Sequence, residues 1–409
     1  MKQGHLSEYF SGVAIKHLSA VEADVLRSHQ HEFNGVEALK RIFGSAQGRQ
    51  TYSAKFVYLN DRDDEPVVAD GFLTWYDARE RHPTRSEHRL YFPTSSVSEL
   101  AVEGDLLVIG RRPDGSVLVV VAEGDSTVAN QVRWLFGATD LGETEYLIRE
   151  DPETEHDRIA FASRVILEAI GVVVETPPDA LLEDMLRRFK GAFPSTREFS
   201  AYARSTLTDA RTGENPDMLL MAWMGREESL FRTLERHLIS DRLALGFKND
   251  VDAFIAYSLS VQNRRKSRVG FALENHLEFL FSQHGIKFSR TCMTENKSKP
   301  DFIFPSVFDY RSIDFDSSKL TVLGVKTTCK DRWRQILAEA DRITTKHLLT
   351  LEAAISVNQT TEMLAKDVQL ILPAQLHETY SPVQRMSLMT VSQFEEMVKT
   401  RQGSILSVE

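Results

Sequence analysis

The proline pair Pro177–Pro178 constrains this chain more than any other feature, because no regular helix or central strand runs through two consecutive prolines. The two sides of it are patterned differently. Before Val172 the apolar residues fall in short alternating or continuous runs: SAKFVYL, VVADGFLTWYD, HRLYFP, DLLVIGRR and SVLVVVAEG. Turn-forming stretches such as NDRDDE and RPDGS separate them, as expected of strands. RRPDGSVLVVV sets a Pro-Asp-Gly turn between two such runs, a hairpin pattern. One helix is expected over Val36–Ile42, after the Asn34–Gly35 turn. Many short strands with little helix suggest a barrel or a sandwich.

Beyond the prolines the spacing becomes helical, in VETPPDALLEDMLRRF and in LLMAWMGREESLFRTLERHLI. FALENHLEFLFSQHG reads as an amphipathic helix stopped by Gly285. Strand patterns follow in IKFSRTCM, PDFIFP and LTVLGVKTT, then a helix in DRWRQILAEADRI and a buried strand in DVQLILP. That order implies an α/β domain on a mixed sheet. At 409 residues the chain is long enough for two domains. We expect a mostly-β domain over 1–172, a linker over 173–186 and an α/β domain over 187–409.

No run approaches the roughly 18 apolar residues of a membrane helix, and the opening MKQGHLSEYF lacks the apolar stretch of a signal peptide. A cytoplasmic protein is expected. Two cysteines, Cys292 and Cys329, supply neither a disulfide framework nor a zinc-binding pair. The net charge of −10 argues weakly against nucleic acid, but DNA binding needs only a local basic patch. Three candidates exist: Arg79, Arg81, Arg85 and Arg89; Arg264, Arg265, Lys266 and Arg268; and Lys326, Lys330, Arg332 and Arg334. Each alone is as compatible with a solvated charged face.

Metal-assisted phosphodiester hydrolysis needs carboxylates to hold a hard cation and often a lysine beside the scissile phosphate. The stretch 299–339 offers these parts. Pro300–Asp301 opens the strand FIF, Lys326 ends the strand LTVLGVK, and Glu339 follows on the next expected helix. An earlier acid, Glu274, sits on the amphipathic helix, with Glu278 one turn later as a competitor. On spacing alone, such a set also occurs by chance.

The stretches NRRKSRVGFALENHLEFLF, KPDFIFP and LGVKTTCKDRWRQILAEADRI together closely resemble the C-terminal half of EcoRII-type (type IIE) restriction endonucleases. These belong to the PD-(D/E)xK nucleases, in a branch whose glutamate has moved from the strand to the following helix. The resemblance covers roughly residues 200–400 and accounts for Gly324 standing two residues before Lys326, where the superfamily usually has an acid. It implies a Mg²⁺-dependent enzyme with a restriction-endonuclease-like α/β fold. Asp301 would be the central metal ligand, Lys326 the catalytic lysine, and Glu339 and Glu274 further metal-binding carboxylates. Tyr310 occupies a position suspected of an active-site role, although a core or surface aromatic is the commoner reading of such a residue. Lys330, Asp331 and Arg332 would read a CCWGG-like site in the major groove, where Arg and Lys donate to guanine and a carboxylate accepts from cytosine. Trp223 and Arg226 are candidates for a pocket holding a flipped-out base, against the reading of Trp223 as core.

For the first half, the resemblance implies a B3-like DNA-binding pseudobarrel. WYDARERHPTRSEHRLYFP is similar to its recognition arm, so Arg79, Arg85, Glu87 and Arg89, with His31 and Asn34 opposite, would contact a second, effector copy of the DNA site. Allosteric relief of autoinhibition and a homodimer through the C-terminal domain are further implications. Two other readings stay open: a different DNA-processing nuclease with the same core, and a non-catalytic sequence-specific DNA-binding regulator.

Overall fold

The structure, a computed structural model, describes residues 9–23, 31–34, 36–45, 48–63, 65–82, 84–138, 147–149, 170, 181–207 and 215–406, without the side chains of 147–149, 296, 330–332 and 404–406. The chain divides into two compact units, Met1–Val173 with Ala353–Gln359, and Val174–Glu352 with Thr360–Glu409. Residues 173–180 of the expected linker lie outside the described residues.

The first unit is built on an eight-stranded sheet of β1 (Gly12–His17), β2 (Glu32–Asn34), β3 (Gln50–Leu59), β4 (Val67–Asp77), β5 (His88–Tyr91), β6 (Leu106–Arg111), β7 (Val117–Ala122) and β8 (Leu147–Arg149). Their spatial order is β2-β5-β4-β3-β7-β6-β1-β8. Among the described residues only β3 and β7 pair in parallel in this sheet; the other pairs are antiparallel, so the sheet is mixed. The Pro-Asp-Gly turn forms the β6–β7 hairpin, with Arg111 opposite Val117. Gly115 takes φ 87°, and Asp114 Oδ1 accepts from the Ser116 amide and hydroxyl. Helix α1 is Glu37–Phe43, one residue later than the sequence suggests, and buries Ala38, Leu39, Ile42 and Phe43 on one face. Trp75 is fully buried in this core, and its indole N–H donates to the Gly44 carbonyl at 2.9 Å, so burying the ring leaves no orphaned donor.

The second unit contains a five-stranded mixed sheet in the order β13-β12-β11-β10-β9. Its strands are β9 (Ser289–Arg290), β10 (Phe302–Phe304), β11 (Thr321–Lys326), β12 (Lys346–Thr350) and β13 (Val368–Ile371). β9, β10 and β11 pair antiparallel, whereas β11, β12 and β13 run parallel. IKFSRTCM therefore supplies only a two-residue strand, and β12, which the sequence pattern did not single out, lies between β13 and the central β11. The helices include α2 (Thr196–Ser205), α3 (Pro216–Leu245), α4 (Val251–Gln283) and α5 (Val391–Leu406). The expected amphipathic helix is the C-terminal half of α4, which starts far earlier at the side-chain cap of Asp250 on the Ala253 amide. Leu273, Leu277, Leu280 and Phe281 are its buried stripe. Phe281 meets Phe302 and Phe304 of β10 edge-on at 5.5 and 5.4 Å, and Phe394 of α5 closes on Phe304 at 5.7 Å. This aromatic layer seats α4 against the strand that Asp301 precedes.

One expectation fails. DRWRQILAEADRI does not form an α-helix: Lys330–Ala338 is a 3₁₀ segment, and Glu339 lies just past its end with extended backbone, φ −102° and ψ 141°. Among the described residues no helix is long and apolar enough to cross a membrane. Cys292 and Cys329 are both free thiols.

Candidate active site

Asp301 sits at the mouth of β10, where antiparallel pairing of Phe302 with Leu323 draws it beside the end of β11. Its carboxylate accepts the Val325 amide at 2.7 Å, which fixes it to the strand that carries Lys326. The Lys326 ammonium lies 3.9 Å from the same oxygen. Burial raises the Asp301 pKa; the Lys326 charge and the Val325 amide pull against that rise.

Glu339 reaches this place by another route. Gly324 is in the middle of β11, and a Cβ there would stand 2.7 Å from Cδ1 of Ile336. The 3₁₀ segment is thus packed directly onto the strand, at the point where a side chain would otherwise hold it off. Glu339 ends half-buried, and its carboxyl is pushed up to about 7 by burial and then by the negative charge of Asp301. Glu274, on α4, is likewise raised by burial and by Asp301. The positive charge of Lys326 opposes the rise at all three carboxyls, Asp301, Glu339 and Glu274. One ammonium therefore lies within electrostatic reach of three acids drawn from a helix, a strand mouth and a loop.

Glu274 has a second partner that sequence reasoning missed. Arg290, on β9, donates to Glu274 at 2.8 Å and to Asn275 Oδ1 at 2.9 Å, and also pairs with Glu278. Glu278 is shared with Arg197 at 3.0 Å, so of the two competing acids Glu274 is the one coupled to Asp301. Tyr310 is 2% exposed in the apolar cluster with Ile303, Leu320, Val322 and Ile343. Its hydroxyl donates to Glu295 at 2.6 Å, an engagement separate from the Asp301 group.

Carboxylate oxygens suit a hard divalent cation, and Glu339 is a half-buried carboxyl facing the negative charge of Asp301. Asp301 and Glu339 fit such an ion. Glu274 fits less well, since Arg290 already holds one of its oxygens. No group of three or more His, Cys, Asp or Glu side chains arranged to hold one metal ion occurs among the described residues.

Residues 231–395 match the family model described as EcoRII C terminal. Over 203 residues the chain is 44% identical to "Type II restriction enzyme EcoRII" of Escherichia coli, covering 49% of this chain and 50% of that protein. The segment 231–395 is thus similar to the EcoRII C-terminal family. This chain spans about half the length of the curated relative it matches. Two solved structures are also similar. One is a complex of restriction endonuclease PspGI with substrate DNA (TM-score 0.44, 17% identity, 52% of this chain and 94% of that one). The other is metal-depleted Ecl18kI with uncleaved, modified DNA (TM-score 0.43, 19% identity, 56% and 85%). At these TM-scores neither likeness assigns a fold.

Within the EcoRII C-terminal segment, Lys330, Asp331 and Arg332 open the 3₁₀ segment rather than a helix; their side chains lie outside those described. Just upstream of it, Trp223 is 4% exposed and packs against Phe279 and His276 at 5.6 and 5.8 Å, so it faces the helical interior and not an open pocket. Arg226 donates to Thr206 Oγ1 at 2.9 Å. The basic run 264–268 is not a free phosphate-binding patch either. Arg264 stacks on Phe193, Arg265 pairs with Glu235 at 2.8 Å, and Arg268 is buried against Glu227 and Glu228.

In the first unit Asn34 on β2 and Arg89 on β5 lie on paired strands, whereas His31, Arg79, Arg85 and Glu87 lie just outside them. Pairing sets Arg89 opposite both Tyr76 and Asn34. Arg79 and Arg89 converge on Glu87 at 2.5 and 2.6 Å, and their hydrogen bonds hold its carboxyl below the usual range. Arg89 also pairs at 2.6 Å with Glu32, a residue the sequence did not single out because its partner is 57 positions away. Arg85 is exposed, Asn34 is exposed, and His31 is half-buried beside Tyr91 and Phe92.

Proposed function

We propose that this chain is a type II restriction endonuclease that hydrolyses phosphodiester bonds in duplex DNA. The observation that carries this reading is the coupling of Asp301, Glu339 and Glu274 to the single ammonium of Lys326, inside a segment similar to the EcoRII C-terminal family. A Mg²⁺ ion held by Asp301 and Glu339, with Glu274 beside them, would polarise the scissile phosphate and supply an activated water. Lys326 orients that water and offsets the charge that builds on the phosphate oxygens. Asp301 is kept in register with Lys326 by the Val325 amide. Arg290 keeps Glu274 turned toward the pair.

Recognition of a CCWGG-like site is assigned to Lys330, Asp331 and Arg332, four to six residues beyond Lys326, which couples base reading to cutting. A flipped-out central base would be received near Trp223 and Arg226 only after the packing there opens. We assign residues 1–172 as a B3-like domain in which Arg79, Arg85, Glu87, Arg89, His31 and Asn34 bind an effector copy of the site and relieve autoinhibition. Residues 187–409 are assigned as the restriction-endonuclease-like catalytic domain and the site of homodimer contact.

The test is digestion of plasmid DNA by the purified chain with MgCl₂, followed by sequencing of the fragment ends. Ends at one repeated short sequence, lost in Lys326→Ala while duplex binding persists, are expected. Ends scattered over the plasmid would overturn site specificity. Cleavage unaffected by Lys326→Ala would remove the catalytic assignment.

A further inference from the structure

Glu339 is held by neither a helix nor a strand: it follows a 3₁₀ segment and precedes Ala340, whose φ of 52° lies in the left-handed region that non-glycine residues seldom adopt. A carboxylate on such a turn has no regular backbone ladder to fix it. Three carbonyls of this turn accept hydrogen bonds from one side chain. Lys346 Nζ donates to the carbonyl oxygens of Glu339 at 2.6 Å, Ala340 at 2.8 Å and Ile343 at 2.6 Å. An ammonium has three N–H groups and no acceptor, so this arrangement uses all of them.

Lys346 is the first residue of β12, 5% exposed, and its own amide donates to the Asp367 carbonyl at 2.9 Å, next to β13. β12 pairs in parallel with β11, the strand that ends in Lys326. The side chain is therefore rooted in the same sheet as the candidate catalytic lysine and reaches from it to the turn that carries Glu339. Ile336, packed on Gly324, fixes the near end of the same segment. Lys346 is not a spare catalytic lysine, because its donors are consumed by backbone carbonyls.

We propose that Lys346 is a positioning residue for the proposed cleavage reaction: its buried ammonium pins the 339–343 turn to the central sheet and so holds the Glu339 carboxylate at the Asp301 site. This rests on Glu339 acting as an active-site carboxylate. Losing the ammonium takes a donor from each of the three carbonyls, leaving Ala340 with the Ile343 amide at 2.9 Å, and so loosens the turn.

The experiment compares the full chain with Lys346→Met, Lys346→Arg, Glu339→Gln and the double variant Lys346→Met/Glu339→Gln. Single-turnover cleavage is measured across a MgCl₂ series, with duplex binding in CaCl₂ and thermal melts alongside. For Lys346→Met we expect cleavage slowed about 10–100-fold, a clear rise in the Mg²⁺ concentration giving half-maximal rate, and binding within about 3-fold of wild type. The double variant should be no slower than Glu339→Gln, since both changes act through one carboxylate. Lys346→Arg, which keeps the charge but cannot place three donors on the same three carbonyls, should fold and show the same Mg²⁺ shift; it serves if Lys346→Met does not fold. Wild-type Mg²⁺ dependence in a folded Lys346 variant would overturn the proposal, as would rate losses that multiply in the double variant. A wild-type chain that cleaves nothing, or a fully active Glu339→Gln, would instead overturn the reading on which it rests.

Discussion

Gly324 shows how far one residue can decide chemistry. Two positions before Lys326, it stands where an acid would share the lysine's face of the strand, but Ile336 fills the space a Cβ would need. Moving the acid back should therefore fail. Gly324→Glu combined with Glu339→Ala is expected to stay at least about 100-fold below wild type in cleavage, because the new side chain must displace Ile336 before it can reach the site. Recovery to within a few-fold would show that the packing against Ile336 is unimportant. His347 offers a test of stability that is independent of catalysis. It is 2% exposed, with Nδ1 unpartnered, and burial, then the nearby Arg401 charge, depress its pKa to about 4. A depressed value means the unfolded chain, with an ordinary histidine near 6.5, takes up the proton first. Stability is therefore full above pH 6.5 and falls as the pH drops toward 4. Between pH 7 and pH 5 this group should cost about 2 kcal/mol. Urea titrations at the two pH values should show that difference shrink by about this amount in His347→Leu; an unchanged difference would mean that His347 is not the titrating group.

At the scale of elements, helices α3 and α4 are joined by charges in their shared interior. Arg268 pairs with Glu227 at 3.4 Å and with Glu228, its guanidinium lies over Phe231 at 4.1 Å, and His276 Nε2 approaches Glu227 at 3.0 Å. All of these groups are buried. Arg268→Met takes the guanidinium from two buried carboxylates, leaving Glu228 with Arg232 at 2.8 Å and Glu227 with His276, and should cost about 3 kcal/mol in denaturant unfolding, far more than the same change at exposed Arg187. A loss under about 1 kcal/mol would mean that water reaches the pair. None of this network could be read from the run Arg264–Arg265–Lys266–Arg268, which looks the same in sequence as a phosphate-binding patch. The partners sit on another helix, 30 to 41 positions away. By contrast, β10 and β11 were legible, since their uninterrupted apolar runs match strands buried on both faces.

For the whole molecule, the chain divides after Val173, a few residues before Pro177–Pro178, but Ala353–Gln359 groups with the first unit, which no local pattern announces, and the proposed duties of the first unit depend on side chains now tied to one another. Arg79 and Arg89 are paired with Glu87 and Glu32, so effector DNA would have to compete with two carboxylates for these guanidinium groups. If the first unit binds an effector copy of the site, cleavage of a plasmid with one target should rise on adding short cognate duplex, and Arg89→Ala should lose that rise. Equal stimulation of the variant would remove Arg89 from the proposed effector surface.

Local pattern was sufficient for the mixed sheet of the second unit and for setting Asp301 just before one buried strand and Lys326 at the end of another. Apolar periodicity and a strand-opening Pro-Asp depend only on neighbours in the chain. The tertiary structure alone decided that Glu339 leaves a 3₁₀ segment instead of riding on a helix, that Trp223 points inward, that Arg290 meets Glu274, and that Lys346 meets the carbonyls of the turn after Glu339. Those outcomes depend on which distant groups meet in a space without water, where an unpaired charge or carbonyl is costly enough to override local preference.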